Sequence, residues 1–333
     1  MPPGDRVVRI GVLVFPGCLR SSAVTPHDVL RVANVLMRAR PVRTRLRFEA
    51  HWVAAGRTRE VAVEGLSFRT VPAASLALEG MIVPGIDHDA TDYPARQLAV
   101  LDAERAALRA FGATGGLVLS GCTGTALVAS AGLLDGHRVA ISWWLAASWR
   151  ARFPGIQLEP DALLLHDGRF VTAAGVASSI DLALWLVGHF AGDDLRQLAA
   201  KVLVTDSRRD SHAPYAAMAL QDGPGPVVLE RARRWLRAHL DQPWSVADLA
   251  RHCRTSERTL LRRFRAAWGV SPVQYVQQQR VERAKALLES TRLSLEDITG
   301  RCGYQDVSTF SKVFKRWAAT TPREYRARFG LRG

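Results

Sequence analysis

The last third of this 333-residue chain carries one helical pattern twice, and that repeat constrains its fold more than any other feature. Ser245-Val246-Ala247-Asp248-Leu249 aligns with Ser294-Leu295-Glu296-Asp297-Ile298 at an offset of 49, and Cys253 aligns with Cys302. One extra residue in the second copy then shifts the offset to 50. It pairs Leu260 with Phe310, Phe264 with Phe314, Pro272 with Pro322 and Tyr275 with Tyr325. Each copy opens on a Ser-x-x-Asp capping box. The pattern predicts a short helix of about eight residues, a tight turn, and a second helix capped by Ser256 or Asp306. Two helices joined in this way form a helix-turn-helix, whose second helix can enter a major groove. The competing reading is a helical array with no nucleic-acid role. Arrays of that kind need about three or more copies, and this chain has two.

Charge points the same way. Of the formal net charge of +14, residues 1–226 (23 basic, 21 acidic) contribute little, whereas residues 227–333 hold 22 basic and 10 acidic side chains. A near-neutral body with a basic end implies a polyanionic partner, nucleic acid before anionic membrane. The 41 Arg against 4 Lys suggest a coding bias, but both parts share it, so the asymmetry stands. A composition of 48% hydrophobic and 23% charged residues argues against wholesale disorder. No run of about 18 apolar residues is present, and Met1–Arg6 lead into a strand rather than a signal peptide. Cys18, Cys122, Cys253 and Cys302 lie far apart without a Cys-x-x-Cys pair, which argues against a disulfide framework or zinc site. The expectation is a cytoplasmic protein with no metal, no cofactor and no membrane partner.

The first 204 residues read as α/β. Strand-like runs at Arg6–Phe15, Leu46–Ala54, Val61–Val71, Gly80–Val83, Gly115–Ser120, Val139–Ser142 and Phe170–Ala174 alternate with helical spacing at 26–39, Pro94–Ala110, Ser178–Phe190 and Asp193–Val204. An Ala-rich helix is expected after Gly124. The alternation predicts a parallel-sheet sandwich with helices on both faces. Polar residues Thr205–Ser211 and the run Gln221-Asp222-Gly223-Pro224-Gly225-Pro226 have linker composition. The expected organisation is an α/β domain at 6–204, a linker at 205–226 and an all-α domain with two helix-turn-helix units at 227–329.

Leu249-Ala250, Ser256–Phe264, Gly269-Val270-Ser271-Pro272, Arg280-Val281-Glu282-Arg283-Ala284, Cys302-Gly303-Tyr304, Phe310–Lys315 and Thr321–Arg326 resemble the AraC/XylS-type DNA-binding domain. The resemblance implies that both reader helices enter successive major grooves of double-stranded DNA, about 34 Å apart. Arg258, Leu261 and Arg262 would reach base edges from the first unit, and Ser308, Thr309, Ser311 and Lys312 from the second. Arg263, Arg265, Lys315 and Arg316 would bind phosphate. Leu260, Phe264, Phe310 and Phe314 would face inward. For any single Arg the alternative is a solvated helix face. One departure is Trp317-Ala318-Ala319, where the family usually has an aromatic residue followed by Gly, as in Trp268-Gly269. The missing Gly weakens the stop of the second reader helix.

Within the first domain, Gly121-Cys122-Thr123-Gly124 between a strand and a helix is a nucleophile-elbow arrangement, in which a helix N-terminus can lower a thiol pKa. Together with Phe15-Pro16-Gly17, Val83-Pro84-Gly85, Ala131–Gly136 and Thr172–Leu184 it resembles the PfpI-like, class I glutamine amidotransferase-like domain, of flavodoxin-like fold. The domain order resembles GlxA-type regulators. Catalytic members pair the Cys with a His and an acid. Here those places hold Ser142 and Ser22, and serine is no general base near neutral pH. His27, His88 and His166 are the available substitutes. The resemblance implies an inactive domain that senses a small molecule and mediates homodimerisation. Its pocket would lie above the C-terminal strand ends, bounded by Ser22, Gly85, Cys122, Thr123 and Ser142. Cys122 is then a relic or a redox sensor; the rival is a cysteine-dependent hydrolase or amidotransferase. RNA polymerase is a further expected partner.

Overall fold

The computed structural model describes residues 6–39, 46–87, 95–142, 145–206, 211 and 227–331. The chain divides into two compact units, residues 1–142 with 149–210, and 143–148 with 211–333. Of the expected linker, all but Thr205, Asp206 and Ser211 lies outside the described residues.

Up to residue 206 the chain runs β1 (Arg6–Leu13), α1 (Arg20–Arg38), β2 (Leu46–Ala54), β3 (Glu60–Val63), β4 (Leu66–Arg69), β5 (Val71–Pro72), β6 (Gly80–Val83), α2 (Ala95–Ala99), α3 (Asp102–Ala113), β7 (Leu117–Gly121), α4 (Gly124–Ser130), β8 (Arg138–Ala140), α5 (Ala146–Arg152), β9 (Gln157–Glu159), β10 (Leu164–Asp167), β11 (Phe170–Ala173), α6 (Ser179–Ala191) and α7 (Asp193–Val202). Seven strands form one sheet in the order β10-β11-β7-β6-β1-β2-β5. All pairs in it are parallel except β10 with β11, which closes one edge antiparallel. β1 lies near the centre, with Val8, Ile10, Val12 and Leu13 fully buried, as suits an apolar strand covered on both faces. α1, α6 and α7 pack together in one layer and α2, α3 and α4 in another.

Several boundaries differ from the sequence reading. α1 starts at Arg20 rather than near Pro26, which lies buried inside the helix. Residues 61–71 are not one strand. Glu64 and Gly65 both take positive φ, 39° and 83°, and turn the chain into the β3–β4 hairpin. The helix expected across 94–110 is two, α2 and α3. β8 stands outside the main sheet and pairs with β9 as a parallel ribbon.

The second unit is α8 (Val227–Ala238), α9 (Val246–His252), α10 (Glu257–Trp268), α11 (Pro272–Ser290), α12 (Leu295–Arg301), α13 (Val307–Ala318) and α14 (Pro322–Phe329). The capping boxes form at both expected places: Ser245 and Ser294 each accept from the N–H three residues on, while Asp248 and Asp297 accept from the cap N–H. Further boxes at Ser271/Gln274 and Thr321/Glu324 start α11 and α14, each with Pro in the first turn. α10 ends at Gly269 with φ 71°, a left-handed stop. α13 ends in the same conformation at Ala319, φ 54°. The second reader helix therefore stops where the first does, without the glycine, at the steric cost of a left-handed β-carbon.

Ala319→Gly should stabilise the chain by about 0.5–1 kcal/mol, the relief of roughly 1–2 kcal/mol of left-handed strain less the entropy of a new glycine. Thermal melting of the helical signal checks this. Ser294→Ala should cost about 1 kcal/mol through loss of the cap. Bonds from the Ser294 hydroxyl and N–H hold the Asp297 carboxyl below its ordinary value. Its contribution is therefore full above the unfolded carboxylate pKa and fades as pH falls through the lower folded value. The loss of melting temperature in Asp297→Ala at pH 7 should accordingly shrink as the pH is taken below the ordinary carboxylate range.

Candidate functional site

Both reader helices are built to the same plan. A Cys closes the first helix of each pair, and the residue after it, Arg254 or Gly303, takes positive φ (52° and 76°) to reverse the chain. Ser256 then caps α10, accepting from the Thr259 N–H at 3.2 Å. Asp306 caps α13, accepting from the Thr309 N–H at 2.7 Å. Leu260, Phe264, Phe310 and Phe314 are fully buried. Phe264 meets Tyr275 edge-on at 5.7 Å and Phe314 meets Tyr325 at 5.5 Å.

With those faces inward, one stripe is left outward. Arg258, Leu261, Arg262 and Arg265 stand at i, i+3, i+4 and i+7 of α10. Ser308, Ser311, Lys312 and Lys315 occupy the same positions of α13. Leu261 and Ser311 are half-buried and the other six are exposed. Arg265 thus shares the face of Arg258 and Arg262, one turn further along. Arg263 is half-buried and lies off the stripe, at its flank. Thr309 is exposed but its hydroxyl is engaged with the Asp306 carboxylate. Exposed Arg316 lays its guanidinium 5.6 Å from the Trp317 ring. The sequence reading did not separate these two from the freer stripe positions. The cap residue three places before Thr309 was the available signal.

In the α/β unit the elbow forms: Cys122 sits between β7 and α4 with φ 52°. A β-carbon on Gly124 would lie 2.1 Å from the Pro84 carbonyl oxygen, so glycine is what lets α4 start this close to the end of β6. The Thr123 hydroxyl accepts from the Ile86 N–H at 2.7 Å and donates to the Ile86 carbonyl at 2.8 Å, tying the elbow to the Gly85 loop. Leu19 lies over Gly85 and donates its N–H to the Gly85 carbonyl at 2.7 Å. Ser142 accepts from the Gly175 N–H at 3.0 Å and hydrogen-bonds Cys122. Ser22 is buried on α1.

The site is closed to solvent. Cys122 is 4% exposed, and Ser22, Thr123 and Ser142 are as buried. Burial pushes the Cys122 thiol up, and hydrogen bonds from Thr123, Ser142 and the Gly175 backbone only partly offset it. Burial and the helix N-terminus thus act on this thiol in opposite senses, and burial is the larger of the two. His27 packs on Trp52, ring centroids 4.2 Å apart, and burial with the neighbouring His51 holds it down to about 4. His166 lies on the edge strand β10, bonded to the Gly168 carbonyl at 2.8 Å. His88 is outside the described residues. A cavity of about 730 Å³ opens at the other end of the sheet, by Arg9, Glu79, Phe111, Gly116 and His189. Among the described residues no cluster of three or more metal-ligating side chains occurs, and no helix is long and apolar enough to cross a membrane.

The geometry defines a double helix-turn-helix unit that follows a mostly parallel α/β unit in the chain. Residues 249–328 match the helix-turn-helix domain family. Over 97% of both chains, the protein is 26% identical to the HTH-type transcriptional regulator GlxA of Rhizobium meliloti. It is 27% identical to the HTH-type transcriptional regulator GbdR of Pseudomonas aeruginosa, over 62% of this chain and 56% of that regulator's length. A THiJ/PfpI family protein from Pseudomonas syringae shares its fold, with a TM-score of 0.50 and 21% identity across 75% of this chain and 90% of that one. The chain is thus similar along nearly its whole length to an HTH-type transcriptional regulator, with a helix-turn-helix domain behind a unit that shares the fold of a THiJ/PfpI family protein.

Alkylation of Cys122 in the folded chain should be slow and should still be accelerating above about pH 8.5, the ordinary thiol value. Mass spectrometry of iodoacetamide-treated protein measures this. A midpoint well below that pH would mean an activated thiolate.

Proposed function

We propose that this chain is a sequence-specific regulator of transcription. It binds double-stranded DNA through the stripes of α10 and α13, while its α/β unit senses a small molecule, pairs two chains and has no catalytic turnover. The observation that carries the reading is the matched pair of outward stripes at the same helical positions, each backed by a fully buried aromatic face. Arg258 and Arg262 are spaced one turn apart, which suits adjacent base edges, and Arg is the usual bidentate partner of guanine. Leu261 between them suits a thymine methyl. The mixture of Ser308, Ser311 and Lys312 on α13 implies a second half-site of different sequence. Arg263, Arg265, Lys315 and Arg316 are suited to phosphate, which adds affinity without sequence information.

For the α/β unit, two observations favour sensing over catalysis. Ser142 stands beside Cys122 where a general base would be needed, and the thiol is buried and pushed up. The near-neutral charge of this unit poses no barrier to self-association, and a paired chain would present four reader helices. Regulators of this kind act in the cytoplasm and address RNA polymerase at the promoter.

Selection of genomic duplex fragments by the full chain should recover a bipartite site. Four phosphate contacts per chain predict a log–log salt slope of about −3.6 for one bound chain and about −7 for a bound pair, and undetectable or salt-insensitive binding would defeat the proposal. Arg258→Ala and Arg262→Ala should each cost about 1–3 kcal/mol and relax preference at particular base positions. Arg265→Ala should weaken all sequences alike. Uniform loss in all three would make α10 a backbone contact only. Sedimentation of the full chain at micromolar concentration should show a dimer.

A further inference from the structure

The two helix-turn-helix units do not share a core. Tyr275 and Val276 of α11 join Leu229, Leu236, Leu249, Leu260 and Phe264 in one cluster. Val281, Ala284 and Leu288 of the same helix join Ile298, Phe310, Phe314 and Tyr325 in another. Between these stretches α11 reads Gln277-Gln278-Gln279-Arg280, four polar residues. Apolar burial therefore orients each reader helix within its own unit but leaves the angle between units to α11 and to polar contacts.

One side chain touches both units. Arg280 donates from Nε to the Leu240 carbonyl at 2.8 Å and from Nη2 to the Gln242 carbonyl at 3.3 Å, in the turn after α8. The same guanidinium lies 5.1 Å from the ring centre of Tyr304, in the turn between α12 and α13. Space for it is made at Gly303. A β-carbon there would come within 2.8 Å of Arg280 Nη2 and 2.9 Å of the Asp241 α-carbon. Positive φ alone does not demand glycine at this place in the repeat, because the equivalent Arg254 takes positive φ with a full side chain. The close approach of Arg280 and the Asp241 backbone supplies the second reason.

We infer that Arg280 is a positioning residue that clamps the first unit to the second, holding α10 and α13 at one separation and phase and so setting the half-site spacing the chain accepts. The consequence for DNA rests on the reading of α10 and α13 as DNA readers; the clamp itself does not. A planar guanidinium can fork to two carbonyls and stack on a ring at once, which an ammonium cannot.

Both parts are tested in the full-length chain. Spin labels at positions 251 on α9 and 296 on α12, both exposed and outside the reader helices, report the inter-unit distance, since the four native cysteines are buried. The parent should give one narrow distribution. Arg280→Ala and Arg280→Lys should broaden it with helical content unchanged, and Gly303→Ala, which crowds the clamp instead of deleting it, should shift or broaden it. An unchanged narrow distribution in all three overturns the clamp. On the selected site, one base pair inserted between half-sites turns one against the other by about 34°. It should weaken the parent by about tenfold or more, and the two Arg280 variants by less than about threefold. A full spacing penalty retained in both variants overturns the spacing role. Should the parent bind no duplex at all, the regulator reading fails, and the label distances still decide the clamp.

Discussion

The aromatic face buried beneath α10 and α13 is what the rest of the helix-turn-helix unit depends on. Phe264 and Phe314 are fully buried against Tyr275 and Tyr325. Burial of such a ring contributes about 1.5–3 kcal/mol, and its truncation in a core costs about 3–5. Surface arginines on the opposite face contribute far less to folding. The inward rings therefore decide the rotation of the helix about its axis, and the outward stripe follows from them. Caps and left-handed turns then place the start and stop. Ser256 and Asp306 begin the readers, and Gly269 and Ala319 end them, at strand-free positions that repeat at an offset of 50.

A different balance governs the elbow of the α/β unit. A helix N-terminus stabilises an anion by about 0.3–1 kcal/mol at an exposed site, up to about 2 in favourable partly buried geometry. Desolvation of a fully buried group can move a pKa by several units, each worth about 1.4 kcal/mol. At Cys122 desolvation wins. The same tight packing that lets Gly124 meet the Pro84 carbonyl also shuts the thiol away from water. The elbow keeps the backbone of a nucleophile site, while burial pushes its thiol above the ordinary range.

Much of this was legible in the sequence because the signals are local. The capping boxes at Ser245 and Ser294, the Phe pairs at an offset of 50 and the strand–Gly-Cys-Thr-Gly–helix run each specify structure within a dozen residues. What escaped was either a turn masked by its β-rich surroundings or a pairing set by neighbours distant in sequence. The break of residues 61–71 into a hairpin rests on a Glu-Gly turn that a β-rich run conceals. β8 reads as a sheet strand by composition, yet it finds its partner in β9 and stays outside the main sheet. The missing glycine at Ala319 suggested a weakened stop, and the helix ends there regardless, because packing of Ala318 and Phe314 holds the last turn in place.

The sequence by itself determined the order of the two units, the basic character of the second, and which residues of α10 and α13 lie on one face, since helical periodicity and caps need no long-range contact. Tertiary structure decided two further things. It closed the elbow around Cys122, because Ser142 and Gly175 reach the thiol from separate elements and Ile86 ties down the neighbouring Thr123. It also brought Arg280 between the Leu240–Gln242 turn and Tyr304. A guanidinium in a helix shows no preference in sequence for the carbonyls it will meet. Only the fold of both units around α11 supplies them.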